Sequence, residues 1–191
     1  MPVALLLIDI QNDYFPGGKM ELHGSEQAGQ VAARVLAAFR EHQLPIVHVQ
    51  HISSRPEAAF FQPGTSGVEI HPLATPLAEE TVIQKHYPNA FRDTPLLAHL
   101  QERGIARLVI VGMMTHMCVD ATVRAAVDHG FECRIVQDAC ATKDLKSGEG
   151  VVPAAEAHAA FLAALDGTYG RVMTGEAVME ELSERGKEGP Q

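Results

Sequence analysis

Apolar positions along the chain gather in short unbroken runs, separated by stretches of helical period. The runs cover residues 3–8, 46–49, 81–83, 108–111, 133–136 and 171–173, and several are dense in valine and isoleucine. Runs this short and this rich in β-branched residues predict strands covered on both faces, as in a parallel sheet. Between them the spacing predicts helices. Ala28, Val31, Ala32, Val35, Leu36 and Phe39 form one apolar stripe, with Ser25 as its expected N-cap. Thr94 followed by Pro95 predicts an N-cap and a first helical residue for a helix through Leu96, Leu97 and Leu100, ended by Gly104. Val119, Thr122, Val123, Ala126 and Val127 repeat the stripe up to Gly130, and the alanine-rich residues 153–165 predict a further helix. This alternation predicts a three-layer α/β fold: a doubly wound, mainly parallel sheet with helices on both faces. Ligands of such sheets bind beyond the carboxyl ends of the strands, near the topological switch point.

Residues 53–76 break the alternation, with Pro56, Pro63, Pro72, Pro76, Gly64 and Gly67 and no sustained period. A loop that long in a compact domain is usually functional, so a lid or binding loop is expected. Phe60 and Phe61 within it would waste apolar surface in water, and they are expected to wall a substrate pocket. Residues 1–182 read as one domain and residues 183–191 as a loose polar tail. The chain of 191 residues carries 15 basic against 24 acidic side chains, a net charge of −9. That balance argues against nucleic-acid and anionic-membrane partners, which want a basic face. The apolar N-terminal run lacks a basic flank and is too short for a signal segment, and nothing approaches the roughly 20 apolar residues of a membrane helix. Three scattered cysteines form neither a disulfide framework nor a zinc motif, so a reducing cytoplasmic location is expected.

Three residues stand where chemistry is expected. Asp9 directly follows the first run, a carboxylate at the ligand edge of the sheet. Lys85 follows the third run and, taken alone, reads as a surface lysine. Cys118 follows the fourth run through Gly112-Met113-Met114-Thr115-His116-Met117 and opens a helix. There the helix dipole is expected to lower the thiol pKa. Cys133 and Cys140 read as structural. At three strand ends, Asp9 can take a thiol proton, Lys85 can hold carboxylate and thiolate by charge, and Cys118 can attack a carbonyl carbon. Phe15, Phe91 and Thr115, beside these residues in sequence, are expected to join Phe60 and Phe61 in the pocket wall.

The stretches LLLIDIQNDYF (5–15), GTSGVEI (64–70), VIQKHYPNAFRDTPL (82–96), VIVGMMTHMCVDATVRAAVDHG (109–130) and VQDACAT (136–142) occur in the order found in one family. The chain resembles members of the isochorismatase-like cysteine hydrolase superfamily, which includes nicotinamidases and N-carbamoylsarcosine amidohydrolases. The resemblance implies a catalytic triad of Asp9, Lys85 and Cys118. It also implies a cis peptide between Met113 and Met114, and an oxyanion hole from the Met114 and Cys118 amides. A small-molecule substrate, no cofactor, and assembly as a dimer or tetramer are implied with them. The expected reaction is hydrolysis of a small amide, ureido or related C–N bond through a thioester. A redox-responsive or non-catalytic binding module using Cys118 is the alternative.

The sequence departs from the family at the end of its second strand. Metal-dependent nicotinamidases carry an Asp-x-His motif there, whereas this chain reads Val49-Gln50-His51. No metal is therefore expected, and His48 and His51 read as core or surface histidines. The cysteine itself argues against hydrolysis of isochorismate, because members acting on that vinyl ether do not use the thiol.

Overall fold

The computed structural model describes residues 1–187. Its strands are β1 (Val3–Ile8), β2 (Ile46–His51), β3 (Thr81–Lys85), β4 (Arg107–Met113), β5 (Glu132–Ala141), β6 (Leu145–Ser147), β7 (Gly150–Val152) and β8 (Arg171–Met173). Its helices are α1 (Ser25–Glu41), α2 (Leu96–Glu102), α3 (Asp120–Asp128), α4 (Ala154–Leu165) and α5 (Gly175–Lys187). Six strands form one sheet in the order β3-β2-β1-β4-β5-β8, every pair parallel, while β6 and β7 make a separate antiparallel hairpin.

The central strand shows why the sheet needs two covers. In β1 all residues are buried, and successive side chains alternate between faces. Val3, Leu5 and Leu7 join a core with Ala28, Ala32, Val35, Leu36 and Phe39 of α1 and with Val178 and Leu182 of α5. Ala4, Leu6 and Ile8 join a second core with Leu96 and Leu100 of α2, Val123 and Ala126 of α3, and Leu162 and Leu165 of α4. The result is three layers, α/β/α. Gly112 lets β4 lie close to β1: it sits at φ 127°, and a Cβ there would strike the carbonyl of Ile8.

Several element ends differ from the sequence expectation. Gly24, in the left-handed region at φ 72°, is the N-cap of α1, and Ser25 is its first residue. Pro95 flanks α2 rather than opening it, although Thr94 Oγ1 does accept from the Leu96 amide at 3.3 Å. β5 runs well beyond its apolar start because Ala139 and Ala141, past the polar pair Gln137-Asp138, are also buried. The hairpin β6–β7 and helix α5 carry too few apolar positions to announce themselves. Residues 183–187 continue α5 and are not a loose tail; residues 188–191, the rest of that expected tail, lie outside the described residues. No described helix is long and apolar enough to cross a membrane.

Candidate active site

The chain winds outward through β1, β2 and β3 and then crosses back to place β4 on the other side of β1. The switch point therefore lies between β1 and β4, where the loops leaving the two strands diverge and open a crevice. Asp9 leaves β1 there, in the left-handed region at φ 51°, a conformation that costs a non-glycine residue about 1–3 kcal/mol and persists where the surroundings fix it. Cys118 leaves β4 in a single π-helical turn, Thr115–Val119, which runs into α3. π turns of this kind recur at functional sites. The Met113–Met114 peptide bond before the turn is cis.

Lys85 ends β3, two strands from β1, and is wholly buried. Its Nζ lies 2.7 Å from Asp9 Oδ2, 3.3 Å from Cys118 Sγ, 2.9 Å from His51 Nδ1 and 3.1 Å from the Tyr87 carbonyl. Asp9 is as buried as Lys85. Its Oδ2 is held by the ammonium in a buried ion pair. A carboxylate oxygen and Cys118 Sγ lie within 4.8 Å of each other. A buried carboxylate with unused lone pairs beside a thiol is a ready proton acceptor.

The electrostatics reverse one expectation. Cys118 was expected to have a lowered pKa from the helix dipole; instead burial and the neighbouring Asp9 charge push the thiol up, against a smaller downward pull from Lys85. A helix terminus offers about half an elementary charge, which cannot offset near-complete desolvation beside a full negative charge. The resting group is a thiol. Burial pulls Lys85 down, yet Asp9 and Cys118 together hold it above the ordinary lysine value, so it stays an ammonium.

Cys118 opens onto a cavity of about 520 Å³ walled by Tyr14, His51, Phe60, Phe61, Tyr87 and Met114, with Ser53, Ser54, Arg55 and residues 57–59 also lining it. Phe61 is buried and packs edge-on against Phe60 and tilted against Tyr14. The other expected wall residues lie elsewhere. Phe15 stacks on His71 at 3.6 Å between ring centres and rests over Gly29 of α1. Phe91 packs with Phe131 and His129 in the core beneath α2 and α3. Thr115 is fully buried and turns toward β5 and α4, donating to the Ala141 carbonyl with His158 Nδ1 at 2.9 Å. Adjacency to the motifs did not decide the direction in which these side chains point.

His51 is neither a core nor a surface histidine. It is half-buried and pairs in register with Lys85, its Nδ1 2.9 Å from Lys85 Nζ and 3.9 Å from Asp9 Oδ2. Extending the second apolar run by two residues would have placed it there. His48 is a core histidine: it is buried, with Nε2 2.8 Å from Glu80, which also takes both arms of Arg40. That cluster borders a second cavity, of about 540 Å³, lined also by Pro45, Ile46 and Thr81 around the amino-terminal ends of β2 and β3. Neither the thiol nor Asp9 reaches it.

Two further residues in the first motif had no role assigned from sequence. Gln11, fully buried, donates to the His51 and Val68 carbonyls at 2.9 and 2.7 Å and accepts from the His51 amide at 2.7 Å. Asp13 accepts from the Phe61 amide at 2.6 Å and the Lys19 amide at 3.2 Å. Together they fasten the 53–76 segment over the sheet edge. Asp13→Ala leaves the buried Phe61 amide unpaired, which costs about 1–3 kcal/mol. The expected outcome is a lower urea midpoint, with the first proteolytic cuts falling between residues 53 and 61.

Fold and cluster together define a doubly wound α/β protein with a buried acid–amine–thiol site at its switch point. An isochorismatase domain model matches residues 3–177. The chain is 54% identical over 180 residues to the uncharacterised isochorismatase family protein YddQ of Bacillus subtilis (strain 168), covering 94% of this chain and 100% of that one. It is 29% identical to the maleamate amidohydrolase of Pseudomonas putida KT2440, covering 94% of this chain and 86% of that one. The crystal structure of an isochorismatase-family protein from Oleispira antarctica superposes with a TM-score of 0.90 at 48% identity, covering 94% of this chain and 96% of that one. The chain belongs to the isochorismatase family.

Proposed function

We propose that the chain is an amidohydrolase that cleaves a small non-peptide C–N bond through a thioester on Cys118, with Asp9 and Lys85 completing the triad. The observation that carries this reading is the Asp9 carboxylate, buried, ion-paired to Lys85, and with unused lone pairs beside the thiol. As Sγ attacks the substrate carbonyl carbon, the thiol proton passes to Asp9. The transfer and the attack are coupled, because a free thiolate is costly in this burial. The oxyanion is received by the Met114 and Cys118 amides; in support, no hydrogen bond engages the Met114 amide among the described residues. Asp9 returns its proton to the leaving nitrogen, the C–N bond breaks, and the amine departs. Water, deprotonated by Asp9, then adds to the thioester and releases the acid and the thiol. Lys85, ion-paired with Asp9, offsets negative charge on sulfur as it develops.

The maleamate amidohydrolase among the relatives supports amides as the substrate class. A redox-responsive role fits less well, because sensor thiols are accessible and of low pKa, whereas Cys118 is 3% exposed with its pKa pushed up. The reading includes a homo-oligomer in a reducing cytoplasm. The resemblance supports the first, and the absence of any disulfide among the three cysteines supports the second. The test is ammonia release from a panel of small primary amides, with intact-mass detection of an acyl adduct on the Cys118 peptide. Neither ammonia nor adduct across the panel would overturn the assignment.

Asp9, His51 and Cys118 carry metal-type donor atoms within 4.8 Å of one another. The Lys85 ammonium lies among them, at 2.7, 2.9 and 3.3 Å from those three residues, so a metal ion would have to displace a buried cation of the chain itself. Dialysis against a chelator should leave ammonia release unchanged, and added zinc should not raise it.

A further inference from the structure

Two polar groups of the cavity take no part in this chemistry. The Tyr14 ring is buried against Phe60 and Phe61, its hydroxyl has no hydrogen-bond partner among the described residues, and the residue lines the cavity. His51 lines it too. An ammonium can only donate, so the His51 Nδ1 facing Lys85 Nζ at 2.9 Å is an acceptor. The neutral ring must then carry its proton on Nε2, which is unpartnered among the described residues. Burial and the Lys85 charge hold the ring pKa at about 4, so this tautomer persists through neutral pH. Burial, with Cys118 and Asp9 nearby, holds the Tyr14 phenol well above its ordinary value, so it too stays a neutral donor.

We infer that Tyr14 and His51 are a specificity-determining pair: two neutral donors that select acyl groups bearing an uncharged hydrogen-bond acceptor, such as a ring nitrogen or carbonyl oxygen, a few bonds from the scissile carbonyl. The inference rests on Cys118 being the nucleophile, which fixes where the scissile carbonyl lies. The acceptor is uncharged because the buried cation of the site, Lys85, is already paired with Asp9, while Arg55 and His86, which also line the cavity, are exposed. Phe60, Phe61 and Met114 supply flat apolar walls for the rest of the acyl group. A site that leaves two donors unpaired without ligand rejects an isostere that cannot satisfy them.

The test uses aldehydes, which report recognition at the acyl site without turnover. Sulfur bonds to the aldehyde carbon, the thiol proton ends on the oxygen, and the hemithioacetal reverses freely. Affinities of 2-, 3- and 4-formylpyridine and of benzaldehyde are read from protection of Cys118 against iodoacetamide. Each is normalised to the same aldehyde's addition to mercaptoethanol in water. At least one formylpyridine should bind roughly tenfold tighter than benzaldehyde, the worth of about one hydrogen bond. Tyr14→Phe, or His51→Asn, which keeps an acceptor for Lys85, should bring that ratio toward one while benzaldehyde binding changes little. Equal binding of all four aldehydes in the unaltered protein, or a preference that survives both substitutions, would overturn the inference and leave the nucleophile standing. Failure of every aldehyde to protect Cys118 would count against the nucleophile itself, and the inference with it.

Discussion

Cys118→Ala should lose turnover by a factor on the order of 10⁴–10⁶, the range seen when the nucleophile of a coupled triad is removed. The fold should survive, because alanine fills part of a buried site that already opens onto a cavity. Cys133→Ala and Cys140→Ala should retain activity. Cys133 packs in the core under α3 and α4, and Cys140 lies in β5, paired with Gly112 of β4. Ammonia release measured for all three variants separates a role in chemistry from a role in packing. Full activity in Cys118→Ala would remove the thioester mechanism.

Asp9→Asn and Lys85→Met should move the pH midpoint of Cys118 alkylation in opposite directions. Thiolate is the reactive form, so the midpoint tracks the thiol pKa. The Asp9 charge raises that pKa, and its removal should lower the midpoint; the Lys85 charge lowers it, and its removal should raise the midpoint. A charge at this distance shifts a neighbour by about 1–3 pH units. Asp9→Asn should therefore hold more thiolate at neutral pH than the unaltered protein and yet turn over about 10²–10⁴ times more slowly, because the leaving amine receives no proton. A variant with a more reactive sulfur and a slower reaction distinguishes a proton carrier from a simple electrostatic neighbour. Shifts in the same direction for both substitutions would mean the three groups are not coupled as the distances indicate.

The elements that position the site were legible where burial alone dictates them. The unbroken apolar run of β1 and the run within β4 end at the sheet edge, so Asp9 and the turn carrying Cys118 could be placed without coordinates. What escaped depends on direction and distance. Phe15 and Phe61 both flank that edge in sequence, but Phe61 reaches the cavity from a left-handed residue at φ 56° held by Asp13, a contact between segments far apart in the chain. His51 was missed because the polar residues closing β2 hide that the strand continues to pair with β3. The thiol pKa was misjudged for a different reason. Sequence shows the helix that follows a residue but not how deeply the residue is buried, and here burial dominates.

Ile8 pairs with Gly112, so the carboxylate and the thiol become neighbours only when an early strand receives a late one. Before that closure Cys118 is a solvated thiol of ordinary acidity, open to any passing oxidant or electrophile. Afterwards burial and the Asp9 charge suppress its acidity. Biosynthesis thus exposes the sulfur in unfinished or opened chains and shields it in finished ones. Damage to Cys118 by adventitious electrophiles would therefore mark failures of folding rather than the wear of working molecules.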